Sequence, residues 1–485
     1  MPEADLAAVR RLDLTALPLV ARLGQFFARR GYPLYLVGGS VRNALLGAPP
    51  GDLDFTTPAR PPEVKRLLRQ AGAEATFDVG ERFGTVGGVF EGVTVEITTY
   101  RSETYRRGSR KPEVEFGESL LGDLSRRDFT INAMAADAVT GEVVDPFGGA
   151  QDLQAGVIRA VGEPESRFAE DPLRLLRAVR FAAQYGFRIE PATRAAIRRQ
   201  AGLLPTVSWE RIQVELSKIL VSPHPASGIR LLCDLGLMAH IIPEVLELRG
   251  MHQEGYRHKD VYEHTLQVLE NVPPTLVLRL AALLHDIAKP RTRSVDDGEV
   301  HFFGHDRKGA QMAREILARL RYSTEIIERV CQLVELHLRA NAYEPDWTDG
   351  AVRRLMLDAG EALPDLLDLS RADITSYRQD KVSRAEARVS ELEARINWLR
   401  EEAERVPIKS PLDGNDLMAL FGRGPGPWIR PIKEHLLNLV IEGRLAQDDR
   451  ATAEQIARQF YAEHLAPREA EAAASVAAAA PVGDE

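Results

Sequence analysis

Strand-like patterning is confined to the first third of this chain and fades at a boundary near residue 165, past which the sequence reads as helical. Before it, DLDFTT (52–57) and VTVEITTY (93–100) alternate apolar and polar residues with the period of two that marks strands, and GTVGGVF ahead of the second points to a hairpin. YPLYLVGGSVRNALLG reads as a short apolar strand, a glycine pair and a helix ending at Gly47. Residues 1–30 read as an amphipathic helix carrying Leu12, Leu17, Val20, Leu23 and Phe26. Past the boundary, EDPLRLLRAVRFAAQYGF, PATRAAIRRQAGLL, SWERIQVELSKILV and ASGIRLLCDLGLMAHII all carry helical periodicity, and 258–380 is helical and histidine-containing. SRAEARVSELEARINWLREEAERV predicts one long exposed helix. A chain divided in this way folds as an α+β N-terminal domain, a small mixed sheet with helices, followed by an all-α body. Its 485 residues are enough for about three domains.

Composition narrows the class. With 44% hydrophobic and 27% charged residues the chain can build a substantial core, which excludes a disordered or collagenous protein. Cys233 and Cys331 are alone and far apart, so neither a disulfide framework nor a cysteine zinc site is expected, and a reducing, cytoplasmic home is. MPEADLAAVRRL lacks the apolar core of a signal peptide, and the richest apolar run, TLVLRLAALLHDIA, is broken by Arg279 and His285, so no membrane segment is expected. The net charge of −9 does not exclude a nucleic-acid partner, because binding depends on where Lys and Arg cluster.

Gly38, Gly39 and Ser40 stand between a strand and a helix, where small residues let a backbone approach a phosphate and the helix N-terminus favours an anion. A strand-to-helix turn needs small residues in any case. Asp52 and Asp54, two apart on a strand, place both carboxylates on one face, where they can share a Mg²⁺; Glu96, in a second alternating strand, can be the third. A solvated strand edge would carry the same DLD. Taken together, a glycine turn and two or three carboxylates outline two-metal nucleotidyl transfer.

LVGGSVRNALLG followed by DLDF resembles the signature of the class II tRNA nucleotidyltransferase and bacterial poly(A) polymerase superfamily. VEITTYRSE, LSRRDFTINAMA, VVDPFGGAQDL, RFAEDPLRLLRAVRFAAQYGF and SWERIQVELSKIL follow in that family's order, through about residue 245. The resemblance implies a nucleotidyltransferase head in which Asp52, Asp54 and Glu96 are catalytic, with Mg²⁺ on the aspartates. Gly38, Gly39, Ser40 and Arg42 would meet the nucleotide, and Arg127, Asp128 and Asn132 would read sugar hydroxyls and orient the triphosphate; a capped helix start at Asp128 is the plainer reading. Of EDPLR, Asp171 can be a helix cap before Pro172. In the family, however, this Asp and Arg meet the Watson–Crick edge of the incoming base. Asp171 and Arg174, three apart on one helical face, would then choose CTP and ATP without a template, Arg177 reaching a phosphate one turn on.

His264 in VYEHTLQVLE, His285-Asp286 closing LRLAALLHDIAKP, His305, His337 and the distant Asp373 form a second set. A buried His-Asp pair is costly unless paired or metal-bound, though any one of these histidines alone is more often structural. The order resembles the HD phosphohydrolase superfamily, and the segment resembles the HD region fused behind some bacterial tRNA nucleotidyltransferases. It implies metal ligation by His264, His285, Asp286 and Asp373, with His305 and His337 as ligands of a second metal or phosphate contacts. Such donors suit Mn²⁺, Ni²⁺ or Fe²⁺ better than Mg²⁺. Either a phosphatase or phosphodiesterase activity or a supporting role in tRNA binding is compatible with this.

The expected organisation is therefore a nucleotidyltransferase head over 1–150, a helical base- and tRNA-binding neck over 151–250, an HD domain over 251–385, a helical tRNA-binding tail over 386–465 and an alanine-rich tail over 466–485. GRGPGP between two C-terminal helices can offer N–H groups to a phosphate backbone or be a connector. The expected partners are the tRNA acceptor end, CTP and ATP; the expected product is CCA addition or repair, and ERFGTV (81–86) favours this over the polymerase. In RSETYRRGSRKPEV, Arg106, Arg107, Gly108 and Ser109 stand where members adding the full CCA usually carry an acidic residue, so addition of CC alone or A alone stays open. An HD phosphohydrolase with an RNA-docking N-terminal domain is the alternative from another class. Arg126, Arg127, Arg174, Arg177 and Arg180, with the basic 105–111 loop, would hold tRNA through salt-sensitive phosphate contacts.

Overall fold

The computed structural model describes residues 11–48, 52–78, 84–104, 113–116, 119–251, 260–296, 299–375, 379–405 and 408–469. The basic 105–111 loop and most of the alanine-rich tail lie outside the described residues. Contacts divide the chain into two compact units: one runs to Glu270 and takes in Pro274–Leu280 and Arg314–Ile327, and the other comprises Asn271–Pro273, Ala281–Ala313 and the chain from Glu328 onward. Among the described residues no helix is long and apolar enough to cross a membrane.

The first unit opens with the mixed sheet. Its strands are β1 (Tyr35–Val37), β2 (Leu53–Thr57), β3 (Ala75–Asp78), β4 (Thr85–Phe90) and β5 (Val93–Thr99). An antiparallel ribbon of β6 (Arg101–Thr104) and β7 (Glu113–Phe116) stands apart, and β8 (Ala135–Asp137) and β9 (Val143–Val144) complete the sheet. The order is β3-β4-β5-β2-β1-β8-β9, antiparallel throughout except for β2 beside β5. Alternation explains the faces: Leu53, Phe55, Val95 and Ile97 are buried, while Asp54, Thr94 and Glu96 emerge on the other side. The expected β4–β5 hairpin is present, and its two turn residues Glu91 and Gly92 have φ of 52° and 78°, as a tight hairpin turn requires.

The N-terminal helix is shorter than its periodicity predicts. It spans Pro18–Ala28, because Leu14–Ala16 forms a separate 3₁₀ turn capped by Asp13, and Pro18 sets the helix start. Val20, Leu23, Gly24 and Phe27 are its buried stripe; Phe27, not Phe26, enters the core. Gly24 is required by proximity, since a Cβ there would lie 2.3 Å from the carbonyl oxygen of Ala138.

The helical neck of this unit is built on Leu173–Tyr185, whose apolar face packs against the helices Trp209–Leu220 and Pro225–Asp234. Burying side chains such as Leu175, Leu176 and Val179 contributes about 1.5–3 kcal/mol each. Strands do not end at residue 165: β11 (Arg188–Ile189) pairs in parallel with β10 (Val157–Ile158), two residues each, too short for alternation to reveal.

In the second unit a hairpin of β12 (Ser294–Asp296) and β13 (Glu299–His301) interrupts the helices, another pair too short to read from pattern. The long helix expected after residue 380 runs over Gln379–Arg405 and packs on Asp349–Ala359 and Leu363–Asp373. Helices Gly414–Phe421, Ile429–Ile441 and Arg450–Phe460 enclose their own core around Leu417, Trp428, Ile432, Leu436 and Ala453.

Candidate active sites

The carboxylates converge on one face of the sheet. Asp52 immediately precedes β2, two residues before Asp54, and Asp54 stands directly opposite Glu96 in the parallel ladder with β5. Burial pushes the Asp54 carboxyl up to about 6, with the negative charges of Glu96 and Asp52 adding to it and Arg127 and Arg42 opposing. Burial and the charge of Asp52 also raise Glu96. Three oxygen-donor groups side by side, with Asp54 and Glu96 both resisting ionisation, form a set suited to a hard divalent cation.

The glycine turn lies beside them. Gly38 has φ 66° and caps the short helix Gly39–Leu45; a Cβ on it would sit 2.7 Å from Arg127 Nη1. Arg127 thus covers the turn, held by Asp123 at 3.5 Å, and its buried Nε has no hydrogen-bond partner. Ser40 is buried and its hydroxyl bonds the backbone of Asp52 and Asp54.

Asp128, Asn132, Arg42 and Arg177, each expected to touch nucleotide, form a chain among themselves. Arg42 donates to Asn132 Oδ1, Asn132 Nδ2 donates to Asp128 at 3.0 Å, and Arg177 Nε donates to Asp128 Oδ2 at 2.7 Å. Burial alone would raise Asp128, but the Arg177 charge and the bonds from Asn132, Arg177 and the Phe129 N–H outweigh it and hold the carboxyl at about 2. Arg42 also lies over the rings of Phe181 and Tyr185, at 5.1 and 5.0 Å. The other arginines of the expected basic cluster are likewise paired: Arg126 with Asp123, Arg174 with Glu170 and Arg180 with Glu215.

Asp171 and Arg174 do not share a helical face. Asp171 ends the helix Pro164–Glu170 in an extended conformation (φ −142°, ψ 98°), and the next helix begins at Leu173, because the residue before a proline is disfavoured in the helical region. Its Oδ1 accepts from the Leu173 N–H at 3.2 Å, the capping bond also foreseen, and Oδ2 accepts from Arg211 at 2.9 Å. Arg174 is buried and donates to Arg167 O, Glu170 and Arg126 O. Arg211 was not singled out from sequence; its place in the SWERI block was the only signal.

In the second unit His285, Asp286, His305 and His337 are buried together, with Asp373 beside them. One ligand atom each from Asp286, His305 and His337 lie within 4.8 Å of one another. Each imidazole is oriented identically: Nδ1 donates to the carbonyl three residues back, at 2.9 Å for His285–Ala282, 2.7 Å for His305–Phe302 and 2.6 Å for His337–Val334. That turns the Nε2 atoms of His285 and His305 toward the carboxylates: His285 Nε2 lies 3.2 Å from Asp286 Oδ2 and 3.7 Å from Asp373 Oδ1, and His305 Nε2 lies 3.4 Å from Asp286 Oδ1. Burial lowers His285, but the charges of Asp286 and Asp373 outweigh it and push the ring up to about 9; burial and the neighbouring His285 push His337 down to about 4. Two residues were missed in the sequence: Lys289, whose Nζ is 2.7 Å from Asp286 Oδ2, and Asn341, which donates to Asp373. Lys289 stands one turn after Asp286 in HDIAK, a legible spacing; Asn341 gave no local signal. His264 lies half-buried on the helix Val261–Asn271 of the first unit.

Comparison with known proteins identifies the families of the regions that carry these residues. The Poly A polymerase head domain family matches residues 34–159, the probable RNA- and SrmB-binding site of polymerase A matches 186–248, and the HD domain family matches 261–378. The A-adding tRNA nucleotidyltransferase of Deinococcus radiodurans is 35% identical over 436 residues, covering 86% of this chain and 94% of the relative. The CCA-adding enzyme of Bacillus velezensis is 33% identical over 438 residues, covering 89% and 94%. Among solved structures, the Bacillus stearothermophilus CCA-adding enzyme in complex with CTP matches with a TM-score of 0.66 and 28% identity over 92% of this chain and 98% of that one. A mixed-sheet head bearing a carboxylate cluster, followed by a helical body with an HD domain, defines an enzyme of the nucleotidyltransferase class. The chain belongs to the tRNA nucleotidyltransferase family.

Proposed function

We propose that this enzyme adds cytidine and adenosine to the 3′ end of tRNA, taking CTP and ATP and releasing pyrophosphate, with the head over 1–150, the neck over 151–250, the HD domain over 251–385 and a tRNA-binding tail over 386–465. The observation that carries this reading is the convergence of Asp52, Asp54 and Glu96 beside the glycine turn. These three carboxylates would hold Mg²⁺, which when bound favours the attacking 3′-hydroxyl and neutralises the leaving pyrophosphate. Arg127, aimed over Gly38 with a buried unpaired Nε, is the group suited to grip the triphosphate. Asp128 and Asn132 act from within their buried chain, fixing Arg42 and Arg177 at the wall of the site. Asp171 is an acceptor for the amino group of cytosine or adenine, and meets only lone pairs on uracil O4 or guanine O6. Arg174, anchored on Glu170 and the Arg126 carbonyl, supports the base-reading wall.

The test uses tRNA transcripts ending at the discriminator base, at C and at CC, with Mg²⁺ and CTP, ATP or both. Growth to CCA on all three is the expected result; long adenosine tails or no addition would overturn it. The 35% identity to an A-adding enzyme favours a second reading, a specialist extending only the CC-ended transcript by one A.

We further infer that His285, Asp286 and Asp373 take part in holding a transition metal, Mn²⁺, Ni²⁺ or Fe²⁺, with His305 and His337 as additional ligands or phosphate contacts. The three anchored imidazoles, and the closeness of ligand atoms from Asp286, His305 and His337, support this. A metal held there would lower the pKa of a water and polarise a phosphate oxygen, the chemistry of a phosphatase or phosphodiesterase. Two buried free thiols, Cys233 and Cys331, support a reducing cytoplasmic location.

A further inference from the structure

The ladder beside the candidate metal carboxylates is broken, and a single hydroxyl closes the break. β1 pairs with β2 at Tyr35↔Thr56 and Leu36↔Phe55, and the chain then turns away at Gly38 to enter the short helix. That turn is what brings a glycine backbone to the site, and it leaves the next backbone groups of β2 on that side without a strand partner. They are the carbonyl of Asp52 and the N–H of Asp54, which point the same way because residues two apart on a strand do. Ser40 supplies both missing bonds. Its Oγ donates to Asp52 O at 3.1 Å and accepts from Asp54 N at 3.1 Å, and the residue is 5% exposed.

We propose that Ser40 is a positioning residue: its hydroxyl replaces the absent strand, pinning the backbone that carries Asp52 and Asp54 so that both carboxylates are presented in one fixed geometry to the divalent cation. A hydroxyl has one hydrogen to donate and lone pairs to accept with. Both capacities are used on the strand, so Ser40 acts through the aspartates rather than as a ligand of the triphosphate. Alanine at this position would strand a buried N–H and a carbonyl at the point where placement matters most. The proposal rests on the reading of Asp52 and Asp54 as metal ligands.

Ser40→Ala and Ser40→Thr, in the full-length chain, test it with three readouts. The first is amide hydrogen exchange at Asp54, where protection should fall at least about tenfold in Ser40→Ala, ~1.4 kcal/mol, and be retained in Ser40→Thr. The second is Mn²⁺ affinity by titration, which should weaken in the alanine variant and recover in the threonine variant. The third is steady-state addition of CTP to tRNA, where kcat should fall about tenfold with KM for CTP unchanged. A raised KM at constant kcat and constant metal affinity would make Ser40 a phosphate ligand and overturn the proposal, as would unchanged exchange at Asp54. Asp54→Asn serves as the control. Should that variant keep wild-type metal affinity and transfer, the carboxylate reading fails, while the exchange result still decides whether Ser40 holds the strand.

Discussion

Asp54 and Glu96 face each other across the single parallel pairing of the seven-stranded sheet, and the charge of Glu96 adds to the burial that makes Asp54 reluctant to ionise. A carboxyl raised to about 6 binds its proton more tightly in the folded chain than in the unfolded one, whose value is near 3.8. Its penalty is therefore absent below pH 4, grows as pH rises through 6, and stays above that, on the order of 3 kcal/mol. In metal-free buffer Asp54→Asn should melt higher than the parent at pH 7, with the advantage vanishing below pH 4. Mg²⁺ should raise the melting temperature of the parent more than that of the variant. The same substitution should abolish nucleotide transfer while leaving tRNA affinity within about tenfold, ~1.4 kcal/mol. A variant that melts no higher than the parent without metal would refute the electrostatic account.

Arg177 and Asp128 carry the opposite sign. The carboxyl held at about 2 contributes stability above the unfolded value of 3.8, lost as pH falls through 2. Replacing the buried carboxylate removes this contribution and leaves a partly exposed Arg177 that water can still reach, so Asp128→Ala should destabilise by about 2 kcal/mol at pH 7. That difference should narrow as pH falls from 4 toward 2. Chemical denaturation of parent and variant at three pH values checks it; a gap independent of pH would mean that lost packing, not charge, is responsible.

The carboxylate face was legible because it needs only the period of two on DLDF and on VTVEITT. What pattern could not supply was the outcome of tertiary competition. RRDF and EDPLR mark Asp128, Asn132, Arg174 and Arg177 as polar residues in motif positions, yet each finds a protein partner that is remote in sequence or hidden in a turn. The shared helical face of Asp171 and Arg174 fails for a local reason that was readable: Pro172 excludes the preceding residue from the helix. Asn341 and Arg211 belong to the other group, set by which helices pack together.

Arg211 fixes the carboxylate of Asp171 from one side while the Leu173 N–H fixes it from the other. In the proposed base-reading role, an acceptor held this firmly would discriminate the amino group of cytosine from the carbonyl of uracil. Asp171→Asn replaces an obligate acceptor by an amide that can turn and donate. The ratio of kcat/KM for CTP over UTP should fall by about one to two orders of magnitude, 1.4 to 2.8 kcal/mol of lost discrimination. An equal loss for both nucleotides would assign Asp171 to the fold rather than to the base.

The histidine cluster makes the last prediction. Lys289 Nζ, 2.7 Å from Asp286 Oδ2, supplies in the described structure a positive charge to a carboxylate that lies 2% exposed. Burial raises that carboxyl, but the His285 and Lys289 charges outweigh it and hold it well below the ordinary range. A bound cation would compete with Lys289 for the same oxygen. His285→Ala removes an anchored imidazole without touching the carboxylate strands of the head. It should abolish binding of Mn²⁺ or Ni²⁺ at the cluster, read by calorimetry against the parent, and any metal-dependent hydrolysis of phosphate esters. Addition of nucleotides to tRNA should persist, because Asp52, Asp54 and Glu96 lie on a separate sheet with their own ladder. Loss of both activities together would make the cluster a structural metal centre instead.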